Sequence, residues 1–340
     1  MPTIQTLAGP IDFSYTAQEL TQAIDVLPNL YGRLNEMNLF PGKGVSTTLV
    51  RVSFRNGQVT VLAAEERGSN GSAAKVADEN AIYLEIPHIP HMDYIKPDDL
   101  QDMLAFNQNP IRMKTFEDAM NERLQAIKNK HSITREYLRM GALKGKIIDG
   151  AGNELHDLFE RFDIEKVTVD FALDNPATDV IGKTREVARA METNLQGEVM
   201  TSVHALVSPE FFDALTSHPN VEKFYVNWQS ANVLAGDPRK MFPFGSMVFE
   251  EYNASATLMN GTSGRFIDEG YAHAYPMGTM NTFATYDGPA HDLNMVNMPG
   301  AEIYVSPKVL DHGAGIELKS QSNPLPVCAR PALLRELVMS

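Results

Sequence analysis

Thr115-Phe116-Glu117-Asp118 opens the stretch on which the fold turns, and Gly145 closes it. Between them Phe116, Met120, Leu124, Ile127, His131, Thr134, Leu138 and Ala142 recur at steps of three or four, flanked by Ala119, Ala126, Ile133 and Tyr137. That is the period of one face of an α-helix. Thr115 is placed to cap it, with Asp118 where a capping box usually carries Glu or Gln, and Gly145 is placed to stop it. The spacing predicts a helix of roughly 28 residues, about 42 Å long and well over twice the mean length. A helix so long, with His131 and Thr134 in the middle of its face, reads as a strut in a thin structure.

Working outward, residues 1–44 are loosely patterned. Leu20, Ile24 and Leu27 suit a short amphipathic helix, but Pro10, Pro28, Gly32 and Pro41 break the segment up. It is too fragmentary for a core of its own and is expected to lie as an arm on something else. Val50, Val52 and Phe54 then alternate with Arg51, Ser53 and Arg55, and Val59 and Val61 alternate with Gln58, Thr60 and Leu62. Asn56-Gly57 between them is a hairpin signal, because both residues tolerate the positive φ of a type I′ turn. Phe54 should face Val59, and Val52 should face Val61. Residues 65–72 have almost nothing to bury and are expected to be mobile. A lone ribbon is marginal in water, and the sequence offers it no local surface.

Beyond the long helix, strands are expected at 146–148, 166–171, 200–207, within 242–258, and at 265–267, 283–286, 303–305, 315–318 and 326–328. Helices are expected at 180–195, opened by Asp174-Asn175-Pro176, and at 209–215. The pattern is α+β, with a middle domain near 175–285 inserted between two halves of another.

Composition bounds the function. Forty-three acidic against 29 basic side chains leave a net charge of −14, which disfavours general binding to a phosphate backbone. A single cysteine, Cys328, fits a reducing compartment. Residues 1–16 do not read as a signal peptide, and no window holds the ~20 unbroken apolar residues of a membrane span. The chain is expected to be soluble and cytoplasmic, without a membrane partner.

The searches for chemistry mostly fail. Gly141-Ala-Leu-Lys-Gly145-Lys146-Ile147 has three residues between its glycines and lacks the hydroxyl of a phosphate loop. Ser263-Gly264 lacks the spacing of a nucleophile elbow and reads as a hairpin turn. His88, His91 and Asp93 are the best metal candidates, but Pro87 and Pro90 make their segment an extended, kinked connection. Cys328 sits in an apolar run and reads as a buried, inert thiol. The remaining histidines are scattered, and the paired carboxylates look solvated. No catalytic residue, cofactor or metal is assigned. A long chain with a real core and no convincing site is expected to work by presenting surfaces.

Two stretches then carry a resemblance. Residues 122–146, Glu-Arg-Leu-Gln-Ala-Ile-Lys-Asn-Lys-His-Ser-Ile-Thr-Arg-Glu-Tyr-Leu-Arg-Met-Gly-Ala-Leu-Lys-Gly-Lys, resemble the spine helix of the lambda-type major capsid protein E family of tailed phages. Residues 315–331, with Leu334 and Leu337 beyond, resemble that family's C-terminal signature, and the order of elements between agrees. The resemblance implies the HK97-type shell fold: an N-arm at 1–44, an extended E-loop hairpin at 45–85, a P-domain at 86–174 and 286–340, and an A-domain at 175–285. It implies a structural protein whose hexamers and pentamers form an icosahedral prohead enclosing double-stranded DNA without reading its sequence. The partners it implies are further copies of the chain and a portal, with a decoration protein left open, and the ribbon's start by residue 48 implies a separate scaffold protein. Asn56 and Gly57 become candidate assembly contacts. An encapsulin-like compartment shell and a metal-dependent hydrolase using His88, His91 and Asp93 are the alternatives.

Overall fold

The structure, a computed structural model, describes residues 3–6, 9–12, 15–27, 32–55, 79–101, 104–105, 112–113, 115–195, 197–231, 237, 239–258, 261, 263–293, 295 and 298–340. These residues sort into two compact units. The first is Met1–Val50, Glu85–Glu136 and Thr285–Pro326; the second is Arg51–Leu84, Tyr137–Ala284 and Val327–Ser340.

The long helix runs Phe116–Lys144, as the spacing predicts. Thr115 N–H and Oγ1 donate to Asp118 Oδ2 at 2.9 and 2.7 Å, and Asp118 N–H returns to Thr115 Oγ1 at 3.3 Å. The shorter Asp therefore closes the capping box as Glu would. At the other end Gly145 takes φ +81°, and a Cβ there would fall 2.1 Å from the Phe159 ring. Only glycine meets both the left-handed backbone and the close ring.

In the first unit an antiparallel sheet orders Tyr304–Val309, Ile316–Ser322 and Ile89–Ile95. Against it pack residues 116–136 of the long helix and a helix at Ala17–Val26, with Leu20, Ile24, Met120, Leu124, Ile127, Val305 and Leu318 in the core. Thr16 and Glu19 form a second capping box. The expectation that the leading segment finds cover only on something else is thus corrected for residues 15–44. Leu20, Ile24, Leu34 and Phe40 are buried, and Thr285–Asp287 pairs in parallel with Gly42–Gly44. Two apolar side chains one turn apart, Leu20 and Ile24, hold the short helix against the neighbouring sheet. The segment around Pro90 is likewise an edge strand rather than a kinked connection, because an edge position leaves proline's missing N–H unneeded.

The second unit holds a six-stranded mixed sheet ordered Thr168–Asp170, Arg335–Val338, Tyr271–Met277, Ser202–Val207, Met247–Glu251 and Phe242–Phe244. Ser202–Val207 runs parallel to Met247–Glu251 and antiparallel to Tyr271–Met277. Its core is aliphatic and aromatic throughout, including Phe171, Val187, Met191, Val207, Phe211, Leu215, Phe249 and Leu337. The helix runs Val180–Asn194, within a residue of the expected 180–195, but Asp174-Asn175-Pro176 does not open it. Asp179 is its cap, accepting from Gly182 N–H at 2.9 Å, and residues 172–178 are turns. Pro209–Ser217 is capped by Ser208, and Pro219–Ala231 is a further helix that the sequence reading did not anticipate.

Leu49–Arg55 pairs with Glu79–Glu85 in a two-stranded ribbon. Val50 and Val52 are buried and Arg51 is exposed, as the alternation requires. The expected return strand near 59–63, the Asn56-Gly57 turn and residues 65–72 lie outside the described residues. Among the described residues no helix is long and apolar enough to cross a membrane.

Candidate assembly site

The candidates for chemistry do not converge. His88 Nδ1 lies 2.9 Å from Asn323 Oδ1, whereas His91 Nε2 lies 3.0 Å from Lys130 Nζ. Asp93 sits between Arg123 at 3.5 Å and Lys130 at 3.8 Å. His91 and Asp93 share the inward face of an edge strand, but both spend their polar atoms on the long helix. Among the described residues no three His, Cys, Asp or Glu side chains are grouped to hold a metal. Gly141 and Gly145 belong to a helix C-terminus, the opposite polarity to a phosphate-binding loop. Ser263 begins the return strand of a hairpin with Ser255–Thr257. Cys328 is fully buried, and burial pushes its thiol up to about 12, which leaves no thiolate at neutral pH. The proposed contacts Asn56 and Gly57 fall outside the described residues.

The long helix buries a set of polar and charged side chains, of which the sequence reading places only His131 on its face. Lys128, His131, Ser132, Arg135, Glu136 and Arg139 are all buried. Lys128 Nζ donates to Ile24 O at 2.8 Å and to Asp25 O at 3.0 Å. The helix Ala17–Val26 has no basic residue in its own last turn, so Lys128 supplies from a distance the positive charge that its C-terminal carbonyls favour. One turn on, His131 Nε2 lies 3.0 Å from Ser320 Oγ; burial, and then His91, Arg135 and Lys130, lower its pKa to about 3. Next, Arg135 grips Asp287 at 2.5 and 3.4 Å, both side chains being about 95% shielded. Glu136 Oε1 accepts from Leu34 N–H at 2.6 Å. A single helical face therefore stitches residues 24, 25, 34 and 287 of the first unit together through charge-assisted bonds.

Other side chains are ordered but not buried. In the second unit Glu198 Oε1 accepts from Met280 N–H at 2.6 Å and Asn281 N–H at 3.1 Å, while Glu198 Oε2 pairs with Arg330 at 3.0 Å. The clamp fixes the turn beyond the paired ends of Ser202–Val207 and Tyr271–Met277. On either side of it Val199 and Met280 stand 74% and 85% exposed.

The chain's likenesses agree with these features. A family model described as phage major capsid protein E matches residues 16–339. A major capsid protein of Salmonella phage Felix O1 is 29% identical, over 93% of this chain and 94% of that one. Another, of Pseudomonas phage KPP10, is 27% identical over 95% and 96%. Among solved structures, a candidate capsid protein of an Escherichia coli CFT073 prophage shares the fold with a TM-score of 0.61 at 15% identity, covering 96% of this chain and 99% of that one. The α+β architecture is HK97-like, and the chain belongs to the phage major capsid protein E family.

Proposed function

We propose that this shell-forming subunit closes into hexamers and pentamers tiling an icosahedral head around double-stranded DNA, with no catalytic step of its own. The observation that carries the reading is the Glu198 clamp, which presents Val199 and Met280 as a preformed apolar contact. Heterologous contacts that close into rings need only be weak singly, because many act together in a shell. The paired strands Leu49–Arg55 and Glu79–Glu85 belong to the E-loop at 45–85, and a neighbouring subunit covers them. The remaining domains follow the family plan: N-arm 1–44, P-domain 86–174 and 286–340, A-domain 175–285. The net charge of −14 keeps packaged DNA from adhering to the wall. The chain is part of the virion; its assembly, with a separate scaffold and a portal, takes place in the host cytoplasm.

Electron microscopy of the chain co-expressed with its scaffold tests the reading. Closed shells are expected, and preparations that only ever contain soluble monomers would overturn it. Replacing Asn56-Gly57 with Val-Val should suppress particles while leaving the melting of the free chain nearly unchanged. Equal loss of both would remove the turn from the contact surface.

A further inference from the structure

A cleft of about 510 Å³ opens in the first unit where the helix Ala17–Val26 meets the start of the long helix. Leu20, Met120 and Leu124 form its buried floor and Phe116 its half-buried wall. Leu20 and Ala23 lie one turn apart on one helix; Phe116, Met120 and Leu124 lie two turns in succession on the other. Two helices thus show neighbouring apolar stripes with nothing of the described residues laid across them. Its rim carries two carboxylates, Glu19 and Glu117, and among the described residues no lysine or arginine lines it. Glu19 accepts from Thr16 N–H and Oγ1, which hold its carboxyl below the usual range, so it is ionised at neutral pH.

We propose that this cleft is the docking groove for a basic amphipathic α-helix of a separate polypeptide, its apolar anchors on the floor and its lysines or arginines on Glu19 and Glu117. The proposal rests on the shell-forming reading and locates where an assembly partner engages it. Apolar anchors at i, i+3, i+4 and i+7 are the form in which a third helix completes a two-helix groove. The volume lies within the range of pockets that bury a specific ligand. Charge selects the partner. A second copy of this chain carries −14 and is a poor match for an acidic rim, whereas a basic helix is drawn to it.

The probe is a synthetic amphipathic peptide of about 20 residues, with leucines at helical spacing flanked by lysines, and a twin in which every lysine is glutamate. Fluorescence anisotropy against the full chain should show the lysine peptide binding at least about tenfold tighter than its twin, with the advantage shrinking as salt screens the rim. Ala23→Trp, at an exposed position, fills the groove without touching the core and should weaken binding about tenfold. Glu117→Lys should act in the same direction, and Gln22→Trp, exposed on the same helix but outside the cleft, should not. Equal binding of both peptides, or equal behaviour of Ala23→Trp and Gln22→Trp, would overturn the proposal. So would sedimentation showing that Ala23→Trp alters self-association of the chain alone, since the occupant would then be a second copy. Electron microscopy of the same preparations separates the two readings. Shells without peptide binding sink the groove only, and absence of shells from the unmodified chain with its scaffold sinks the shell reading.

Discussion

The two units are held together by different physics. The second has an apolar cluster of 22 buried residues on a six-stranded sheet, and its buried charged side chains, Arg139, Glu250 and Arg335, lie outside that cluster. The first has 11 such residues, and its N-terminal segment and residue 287 are tied to the long helix by Lys128, Arg135 and Glu136. Apolar cores are forgiving: hydrophobic surface of about the right size folds. A buried charge is not, because removing its partner leaves it desolvated and unpaired. The first unit therefore gains a single defined arrangement of its leading segment, and the cost is vulnerability at a few positions.

The largest expected effect follows from that contrast. Arg135→Ala removes the buried guanidinium that faces Asp287 and should cost about 3–5 kcal/mol, whereas Arg135→Met with Asp287→Leu should recover most of the loss. Trp228 is the only tryptophan and packs 5.3 Å from Phe242 in the second unit. Circular dichroism sees both units, so Arg135→Ala should advance the dichroism transition ahead of the fluorescence one. Coincident transitions, or a double variant no better than the single, would erase the distinction between the two units.

The matching change in the second unit is Leu215→Ala at a fully buried position. It should cost about 2–4 kcal/mol, through lost transfer free energy and the cavity left behind. Here the Trp228 midpoint should move, and no polar partner substitution should restore it. Were a compensating charge change to rescue it, the view of this core as purely apolar would fail.

Acid sharpens the comparison at a smaller scale. Burial lowers both His131 in the first unit and His273 in the second to about 3. Unfolded imidazole titrates near 6.5, so between about 6.5 and 3 the unfolded chain binds more protons than the folded one. Stability is therefore intact above pH 6.5 and falls as pH drops through that window, by about 2 kcal/mol per histidine at pH 5. His131→Gln retains a partner for Ser320 and should remove the first unit's share of the slope. His273→Phe should remove the second unit's share. A melting temperature flat from pH 7 to pH 5 would contradict both assignments.

The same contrast explains what was legible in the sequence. The long helix was readable to the residue, because period, capping box and glycine stop are all signals within three or four positions. The buried charges were not. Lys128, Arg135 and Glu136 carry no local signal of burial, and their partners lie 102 to 152 residues away. One clue was available: 128, 131, 135 and 139 form a stripe beside the apolar one, so the buried arc is wider than the apolar residues alone define. The strand Tyr271–Met277 hid for a related reason. Covered on both faces it shows no alternation, and His273 and Pro276 interrupt its apolar run. The helix Pro219–Ala231 begins on a proline that reads as a break but sits well in a first helical turn. The Glu198 clamp joins positions 198, 280 and 330, which no local rule connects.

The smallest effects test whether helix starts matter equally in the two kinds of packing. Thr16 and Thr115 close similar capping boxes, at 2.7 to 3.3 Å, on helices of 10 and 29 residues. Replacing either by alanine removes one bond to an orphan backbone N–H and should cost about 1 kcal/mol in chain stability. Their local consequences should differ. The long helix has buried apolar side chains along its length, from Met120, Leu124 and Ile127 to Leu138, Ala142 and Leu143, so Thr115→Ala should fray only its first turn. The short helix has two buried apolar anchors, Leu20 and Ile24, and the Lys128 bond at its far end. A loss of about 1 kcal/mol there is a large share of what holds it, so Thr16→Ala should raise amide exchange throughout 17–26 by about fivefold. Exchange confined to residues 17–19 in that variant would mean that packing of the segment, rather than its cap and the lysine beneath it, sets its order.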